Sequence, residues 1–460
     1  MGDPGDSRLT SRHMLIVALA VGAAMVVGGG GSPNPGTELA LQLLFVLALA
    51  GWLWWAPGGQ TSIAGQHIAG EIWWVALIVI AVPVIQLLPL PPSLWQALPG
   101  RETTLAGLAL VDAETSWRPI SLAPPQTLAS LLAMIPPVLA MLAIASLGSR
   151  ARRRIVGMIA WVALAGALLG GLQMVGGENA LRVYDDTHRG WLVGFHANRN
   201  AAADVLLIGT LALGAWFVHR RWRGELRGRP AIVLFGVAQT IFVIAILLTG
   251  SRAGIALLLP VLLLHLAMFR RDILPRMARA SVLAGAGVLA GFLLLPLAIG
   301  ANSRLFVIAA RFDALEDARP DLWTDSMAAL FAYWPAGSGL GTFVTAFLPF
   351  ERLEVVDRSM PNRVHNDYLE FLLEAGLLAP LVLATLALLL ARLAWRAWHG
   401  AVRDRPTIIL ALGILLVIAL HSIIDYPLRN MAMSVLAGVA AGLLSVPRRR
   451  GGSDERSFGA

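Results

Sequence analysis

Long apolar runs, each close to the thickness of a bilayer core in helical length, constrain this chain more than any other feature. About 20 residues of helix cross a hydrocarbon core of roughly 30 Å, and twelve runs approach that length. Hydrophobic residues make up 57% of the 460 residues and charged residues only 14%, which is unusual for a soluble domain. Lipid offers no hydrogen bonds to the backbone, so runs of this length predict transmembrane helices. The expected runs are approximately 14 to 31, 38 to 56, 72 to 90, 126 to 148, 155 to 175, 201 to 219, 231 to 249, 253 to 268, 280 to 300, 367 to 391, 407 to 425 and 430 to 446.

The basic residues predict how the runs are threaded. All 36 are arginine, and most fall in clusters that alternate with the apolar runs. Because basic residues concentrate in cytoplasmic loops, the clusters at 150–154, 220–229, 270–279, 392–405 and 448–450 are expected inside. This assignment places both termini in the cytoplasm.

The predicted fold is therefore an all-α, polytopic integral membrane protein with about twelve transmembrane helices. Residues 1–300 would form helices 1 to 9, and residues 301–366 one long periplasmic loop between helices 9 and 10. Residues 367–446 would form helices 10 to 12, followed by a disordered cytoplasmic tail at 447–460. A second outer loop, 91–125, is rich in proline. Loops as long as 301–366 are more often functional than idle.

Missing residue types exclude several kinds of chemistry. The chain has no cysteine, so neither disulfides nor thiolate metal sites can form. It has no lysine, so a Walker A phosphate loop is impossible. It also has no Asp-x-Asp pair of the kind that holds a divalent metal in many sugar transferases. The arginines fall in separate short loops and do not form one basic face, which argues against a nucleic-acid partner. We therefore expect no metal and no cofactor.

Several polar clusters come to the outer side once the helices are threaded. They contain Asn198, Arg199 and Asn200 before the sixth run, Arg252 before the eighth, Arg319 in the long loop, His365 and Asp367 at the tenth, and Asp425 and Arg429 between the last two. The arginines among them depart from the inward bias. Each cluster also has a structural explanation: helix capping for Asn198 and Asn200, contact with headgroups for Arg252 or Arg429, and an ion pair between Asp425 and Arg429. His265 and His421 are expected to be packing or hydrogen-bonded side chains.

His365 has the local chemistry of a general base. Asp367, with Glu370 three residues later, matches a capping box, so a helix is predicted to start here. The partial positive charge at that helix end disfavours an imidazolium and leaves the ring able to accept a proton. The same end, with nearby arginines, would attract a phosphate group. The structural alternative is a histidine that merely precedes a helix cap.

At these residues the chain resembles the O-antigen ligase and polymerase family, over roughly residues 190 to 446. The resemblance rests on five elements in this order and topology. They are Phe195-His196-Ala197-Asn198-Arg199-Asn200, Thr249-Gly250-Ser251-Arg252-Ala253-Gly254, the Arg319 to Trp323 stretch leading to Gly337-Ser338-Gly339-Leu340-Gly341, His365-Asn366-Asp367-Tyr368-Leu369-Glu370, and His421-Ser422-Ile423-Ile424-Asp425-Tyr426-Pro427-Leu428-Arg429. The first five helices match the family in character but not in motif.

The resemblance implies an inverting glycosyltransferase of a bacterial inner membrane. Its donor would be a glycan on undecaprenyl diphosphate, and its acceptor hydroxyl would attack the anomeric carbon at the periplasmic face. Carried onto this sequence, His365 is the candidate base, and Arg199 and Arg252 would bind the donor diphosphate without a metal. The supporting candidates are Asn198, Asn200, Arg319, Asp367, Asp425 and Arg429.

Four alternatives remain open at this point. The preferred acceptor is lipid A core, as in O-antigen ligation during lipopolysaccharide biosynthesis. An O-antigen or exopolysaccharide polymerase and a protein O-oligosaccharyltransferase are alternatives within the family. A twelve-helix anion transporter would suit polar residues such as Asp204 and Glu374 in apolar runs, although the two halves show no repeat. A family member that has lost its chemistry and serves in an envelope assembly complex is the last alternative.

Overall fold

A computed structural model of the chain describes residues 4–30, 35–55, 68–177, 179–185, 187–269, 319–356, 360–400 and 402–445. Over these ranges the structure is helical and contains no strand; one isolated antiparallel bridge joins Leu90 and Arg118. The helices are α1 (Pro4–Val27), α2 (Pro35–Trp54), α3 (Gly70–Leu87), α4 (Pro92–Trp95), α5 (Glu102–Ala109), α6 (Pro124–Ala133), α7 (Ile135–Ser146), α8 (Ser149–Val175), α9 (Arg199–Trp222), α10 (Gly228–Leu248), α11 (Arg252–Met268), α12 (Arg319–Tyr333), α13 (Phe343–Phe347), α14 (Asp367–Ala375), α15 (Leu378–Trp398), α16 (Arg405–His421) and α17 (Met431–Leu444). Short 3-10 turns lie at Leu348–Phe350, Val402–Asp404 and Pro427–Arg429.

Eight helical segments in the described ranges have the length and composition to cross a membrane. They are Pro35–Trp54, Gly70–Leu87, Pro124–Ser146, Ser149–Val175, Arg199–Trp222, Gly228–Leu248, Leu378–Trp398 and Val402–His421. Three further apolar helices, Ser11–Val27, Arg252–Met268 and Met431–Leu444, are shorter. The expected run at 280–300 and the expected tail at 447–460 lie outside the described residues, so the total of twelve stays a prediction.

The tenth predicted run, 367–391, is not one continuous helix. It is divided into α14 and α15 at Gly376, whose φ is +55°. A side chain at Gly376 would collide with the carbonyl oxygen of Pro335, and that oxygen accepts a hydrogen bond from the backbone N–H of Leu377 at 2.9 Å. The helix therefore breaks where the glycine-rich turn after α12, which contains Gly337, Gly339 and Gly341, packs against it. Apolar periodicity does not reveal this long-range contact.

Contacts between helix ends show which of them lie together at each end of the bundle. At the end that we call the site end, the N-terminus of α9 meets the segment after α16, and Ala432 N–H donates to Gly28 O at 3.1 Å. At the opposite end, Arg153 pairs with Asp404 at 3.2 Å. Arg153 and Asp404, from two of the regions expected inside, thus lie together. Which end faces the periplasm stays a prediction.

Helix α9 is the centre of the bundle, because 94% of its most apolar window is buried by neighbouring helices. Small residues allow the close approach, as is common where helices pack in lipid. A Cβ atom at Gly254 in α11 would lie 2.5 Å from the Cβ of Ala203 in α9. The first turns of α9 and α11 are therefore in direct contact at the site end.

The described part of the predicted long loop is folded against α14. Together with Leu369 and Leu373 of α14, its residues form a separate apolar cluster, whose loop members are Ala329, Leu330, Tyr333, Phe343, Ala346, Phe347 and Val364. The glycine-rich turn lies on the backbone of α14, where Ser338 N–H donates to Leu373 O at 3.1 Å and Gly339 N–H donates to Glu374 O at 2.9 Å. The glycine-rich turn therefore packs directly on the backbone of α14.

The two loops predicted on the outer side also contact each other. Arg101, which is buried in the 91–125 loop, donates to Ile120 O at 2.6 Å and to Gly337 O at 3.0 Å. Buried carbonyl groups need such partners. Arg101 thus joins the proline-rich loop to the glycine-rich turn, and through that turn to α14.

Candidate active site

His365 and Asp425 form a hydrogen-bonded pair at the site end. His365 Nδ1 lies 3.0 Å from Asp425 Oδ1. The carboxylate side chain is only 6% exposed, whereas the imidazole is 32% exposed. An ionised carboxylate can only accept hydrogen bonds, so the proton lies on Nδ1 and Nε2 keeps its lone pair. The pair therefore presents a proton acceptor at a partly accessible position.

The cap of α14 differs from the predicted capping box by one residue. Asn366, not Asp367, is the N-cap, and its Oδ1 accepts from Leu369 N–H at 3.0 Å. His365 precedes the cap with φ +55°, and its ring meets the ring of Tyr426 edge-on at 4.8 Å between centroids. The prediction that a helix starts here is correct. The Tyr426 contact and the hydrogen bond to Asp425 together orient the imidazole.

Glu370 stabilises the segment that carries His365 in place of its predicted capping role. It is fully buried, accepts from Val364 N–H at 3.0 Å and from Arg363 Nη1 at 3.0 Å. On the other side, Trp323 of α12 donates its indole N–H to Val364 O at 3.0 Å. The residues on both sides of this backbone therefore hold His365 in position.

Asn200 joins the start of α9 to the pair. Its Nδ2 donates to Asp425 Oδ2 at 2.6 Å, while Asn198 is the N-cap of α9 and accepts from Asn200 N–H at 2.7 Å. Capping is thus confirmed for Asn198, but the Asn200 side chain is used for Asp425. Burial alone raises the pKa of Asp425, yet the hydrogen bonds from His365 and Asn200 hold that pKa below its ordinary value. Asp425 is accordingly an ionised acceptor near neutral pH.

Arg429 does not pair with Asp425, so the predicted hairpin ion pair is wrong. It contacts three carboxylates of α14: Glu374 at 2.6 Å, Glu370 at 3.1 Å and Asp367 at 3.8 Å. The physical reason is the packing of α14, whose acidic face lies directly against the 3-10 turn that carries Arg429. This cluster attaches the segment after α16 to the helix that follows His365.

Asp367 lies in the first turn of α14, outside the candidate spans. It accepts from Ser422 Oγ at 3.1 Å and from Leu428 N–H at 3.2 Å. Burial raises the pKa of Asp367 to about 7, against a smaller opposing effect from Arg429. Asp367 is therefore a structural link to the Asp425 segment whose charge changes near neutral pH.

Arg199 and Arg252 begin α9 and α11. The guanidinium of Arg199 lies over the ring of Trp191, 5.2 Å from its centroid, and the same ring packs on Gly250, whose φ is +62°. Among the described residues no hydrogen-bond partner reaches the buried Nε of Arg199. Arg252 follows the cap Ser251, which accepts from Gly254 N–H at 3.1 Å. Trp191 thus connects the two arginine-bearing helix starts.

The remaining candidate, Arg319, is the first residue of α12, and its charge acts on His421. His421 is hydrogen-bonded, as the sequence predicts: its Nδ1 lies 2.7 and 2.8 Å from the two carboxylate oxygens of Asp204. Sequence reasoning considered Asp204 only for a transporter. The spacing of His421 and Asp425, four residues apart, is the signal that could have linked this second pair to the first.

These features define a multispanning helical protein with a histidine–carboxylate pair and arginine-bearing helix starts at one end of its bundle. The family model described as O-Antigen ligase matches residues 237–384. This match covers about a third of the chain, and over that segment the chain is similar to the O-antigen ligase family. A comparison with curated proteins gives no match.

The matched segment covers part of the candidate site. Arg252, Arg319, His365 and Asp367 lie within it. The other candidates, Asn198, Arg199, Asn200, Asp425 and Arg429, lie outside it and reach the same region through tertiary contacts. The family match and the geometry are thus two separate observations.

Proposed function

We propose that the protein transfers a glycan from undecaprenyl diphosphate to an acceptor hydroxyl at the periplasmic face of a bacterial inner membrane. The preferred reaction is ligation of O-antigen to lipid A core. The observation that carries this proposal is the hydrogen bond between His365 Nδ1 and Asp425 Oδ1, at 3.0 Å, within a chain that is similar to the O-antigen ligase family over residues 237–384.

His365 is the proposed general base. Asp425 accepts the Nδ1 proton, which leaves Nε2 to take the proton of the acceptor hydroxyl. The acceptor oxygen then forms a bond to the anomeric carbon from the face opposite the donor diphosphate. The bond between that carbon and the diphosphate oxygen breaks, its electron pair goes to the oxygen, and the configuration inverts. Asp425 stabilises the imidazolium that results, as a carboxylate does in other histidine-based sites.

Arg199 and Arg252 are the proposed diphosphate ligands. They begin two helices whose first turns touch, so the guanidinium groups and the N-terminal ends of both helices favour an anion at the same place. One arginine side chain can bind two phosphate oxygens at once, and this interaction strengthens as negative charge develops on the leaving group. The diphosphate is already a good leaving group, so the proposed reaction needs no general acid, metal or cofactor.

The proposed site also suits a donor that cannot leave the membrane. Undecaprenol stays in the bilayer, so its diphosphate must be met at headgroup depth, where helix ends lie. The described part of 301–366, packed on α14, lies beside His365 and would border the route of the acceptor from the water side.

The test is glycan transfer in nanodiscs, using purified protein, an undecaprenyl-diphosphate glycan and lipid A core, with EDTA and without ATP. We expect transfer by the wild-type protein and none by His365→Ala. His399→Ala is the matched control, because His399 is exposed and follows α15 at the opposite end of the bundle. Unchanged transfer by His365→Ala at normal abundance would contradict the assigned base. Lengthening of the lipid-linked glycan, with lipid A core unmodified, would make the protein a polymerase.

A further inference from the structure

A second histidine–carboxylate pair lies next to the pair of His365 and Asp425. His421, at the end of α16, and Asp204, inside α9, each have a side chain only 1% exposed. His421 Nδ1 faces both oxygens of Asp204, at 2.7 and 2.8 Å. Its other ring nitrogen, Nε2, lies 3.8 Å from Asp425 Oδ2. Each nitrogen of one buried ring thus faces a different carboxylate.

The position of the protons follows from this arrangement. If His421 carried one proton, on Nδ1, the pair would have a charge of −1 and the Nε2 lone pair would face a second carboxylate. Such a buried net charge is strongly disfavoured. With one proton between Nδ1 and Asp204 and another on Nε2, the pair is neutral and presents an N–H group to Asp425. The net charge of the pair is the same whether the first proton lies on Nδ1 or on Asp204.

We propose that the Asp204–His421 pair is a neutral, buried positioning unit whose Nε2–H group faces Asp425 Oδ2 and keeps Asp425 oriented toward His365. Two side chains then donate hydrogen bonds to the Asp425 carboxylate, His365 to Oδ1 and Asn200 to Oδ2, and the Nε2 of His421 faces Oδ2 at the longer distance of 3.8 Å. Neither residue of the positioning unit touches substrate. The inference rests on the proposed function only where it predicts how transfer depends on pH.

The charged groups around the unit are few in the described ranges. Asp204 faces His421 from α9, Asp425 faces it from the segment after α16, and the charge of Arg319 acts on it from α12. His365 itself faces Asp425 and the ring of Tyr426. A charge change at His421 is therefore expected to act on His365 mainly through Asp425.

The first experiment measures the pH dependence of kcat/KM for glycan transfer, whose acidic limb reports the protonation of the base. His421→Gln removes the Nε2–H group that faces Asp425, so the Asp425 charge acts more strongly on His365, while the buried Asp204 takes up a proton in place of its lost partner. We expect the midpoint of the acidic limb to rise by about one pH unit. The double variant Asp204→Asn with His421→Gln is neutral at the same place and should show the same midpoint as His421→Gln alone.

A purely structural role predicts a different result. It would lower kcat or abundance at every pH and leave the midpoint in place. A folded His421→Gln variant with the wild-type midpoint therefore overturns the proposal, however much activity it loses.

The second experiment does not depend on activity. Nitrogen NMR of histidine-labelled full-length protein in nanodiscs distinguishes a protonated from a bare ring nitrogen. We expect the Nε2 signal of His421, assigned by its change in Asp204→Asn, to stay protonated two units above the ordinary histidine pKa of about 6.5. A bare Nε2 there overturns the proposal. If the wild-type protein transfers no glycan to any acceptor, the proposed function fails and this spectrum alone decides the state of His421.

Discussion

Asp425 Oδ1 lies 3.0 Å from His365 Nδ1, although 60 positions of sequence separate the two residues. Asp425→Asn tests what the carboxylate contributes. An amide that donates to Nδ1 would move the imidazole proton to Nε2 and remove the base. We expect kcat for glycan transfer to fall about a thousandfold, with the protein still folded and still binding the donor.

The result for Asp425→Asn is read against a donor-binding measurement on the same preparation. Loss of both transfer and binding would indicate a structural role. Transfer within a few-fold of wild type would contradict the pairing of Asp425 with a catalytic His365.

The proposed role of Arg199 and Arg252 predicts an effect on the affinity for the donor. Because a diphosphate binds in the ground state as well as the transition state, Arg199→Ala and Arg252→Ala are each expected to raise KM for the lipid-linked donor about tenfold or more. Lysine at either position should restore only part of this, since it lacks the paired donors of arginine. Steady-state kinetics with varied donor checks both. Arg403→Ala, an exposed arginine at the opposite end, is the control; an equal effect there would show nonspecific charge binding.

Arg429 is predicted to be a stability residue. Arg429→Met would leave the fully buried Glu374 carboxylate without its partner at 2.6 Å. Removal of one member of a buried ion pair costs about 3–5 kcal/mol of unfolding free energy, which an SDS unfolding titration measures. Adding Glu374→Gln should recover part of the loss. Arg223→Met, which removes an exposed ion pair with Glu225, is the control and is expected to cost much less unfolding free energy.

The raised pKa of Asp367 predicts how the stability of the protein depends on pH. This pKa is raised from 3.8 to about 7 by burial, so between these values the folded state holds a proton that the unfolded state has lost. Stability therefore falls as pH rises through this window, with a slope up to about 1.4 kcal/mol per pH unit from this group. Asp367→Asn should flatten the slope and make the protein more stable than wild type above pH 7.

Unfolding titrations at a series of pH values check the Asp367 prediction. Asp321→Asn, which removes an exposed carboxylate paired with Arg352, is the control and should leave the slope unchanged. A slope of wild-type size in Asp367→Asn would mean that other groups of the Arg429 cluster take up the proton.

Much of the fold follows from apolar run length. Eleven of the twelve expected runs correspond to apolar helices in the described ranges, because a helix in lipid must satisfy its own backbone and cover a fixed thickness. The break at Gly376 could not be predicted in this way, since it depends on Pro335 approaching from a turn about forty residues earlier in the chain.

The sequence by itself determined the residue types at the candidate site and the similarity of residues 237–384 to the O-antigen ligase family. His365 stands out by the predicted capping box beside it, and Arg252 by its departure from the inward bias of the arginines. Only the tertiary structure decided the partners. In the folded protein Asp425 is hydrogen-bonded to His365 and Asn200, and Arg429 is paired with the carboxylates of α14. The pair of His421 and Asp204 lies next to Asp425. Local sequence specifies where a helix starts and which side chains it carries, whereas ion pairs between helices depend on the packing of the whole bundle.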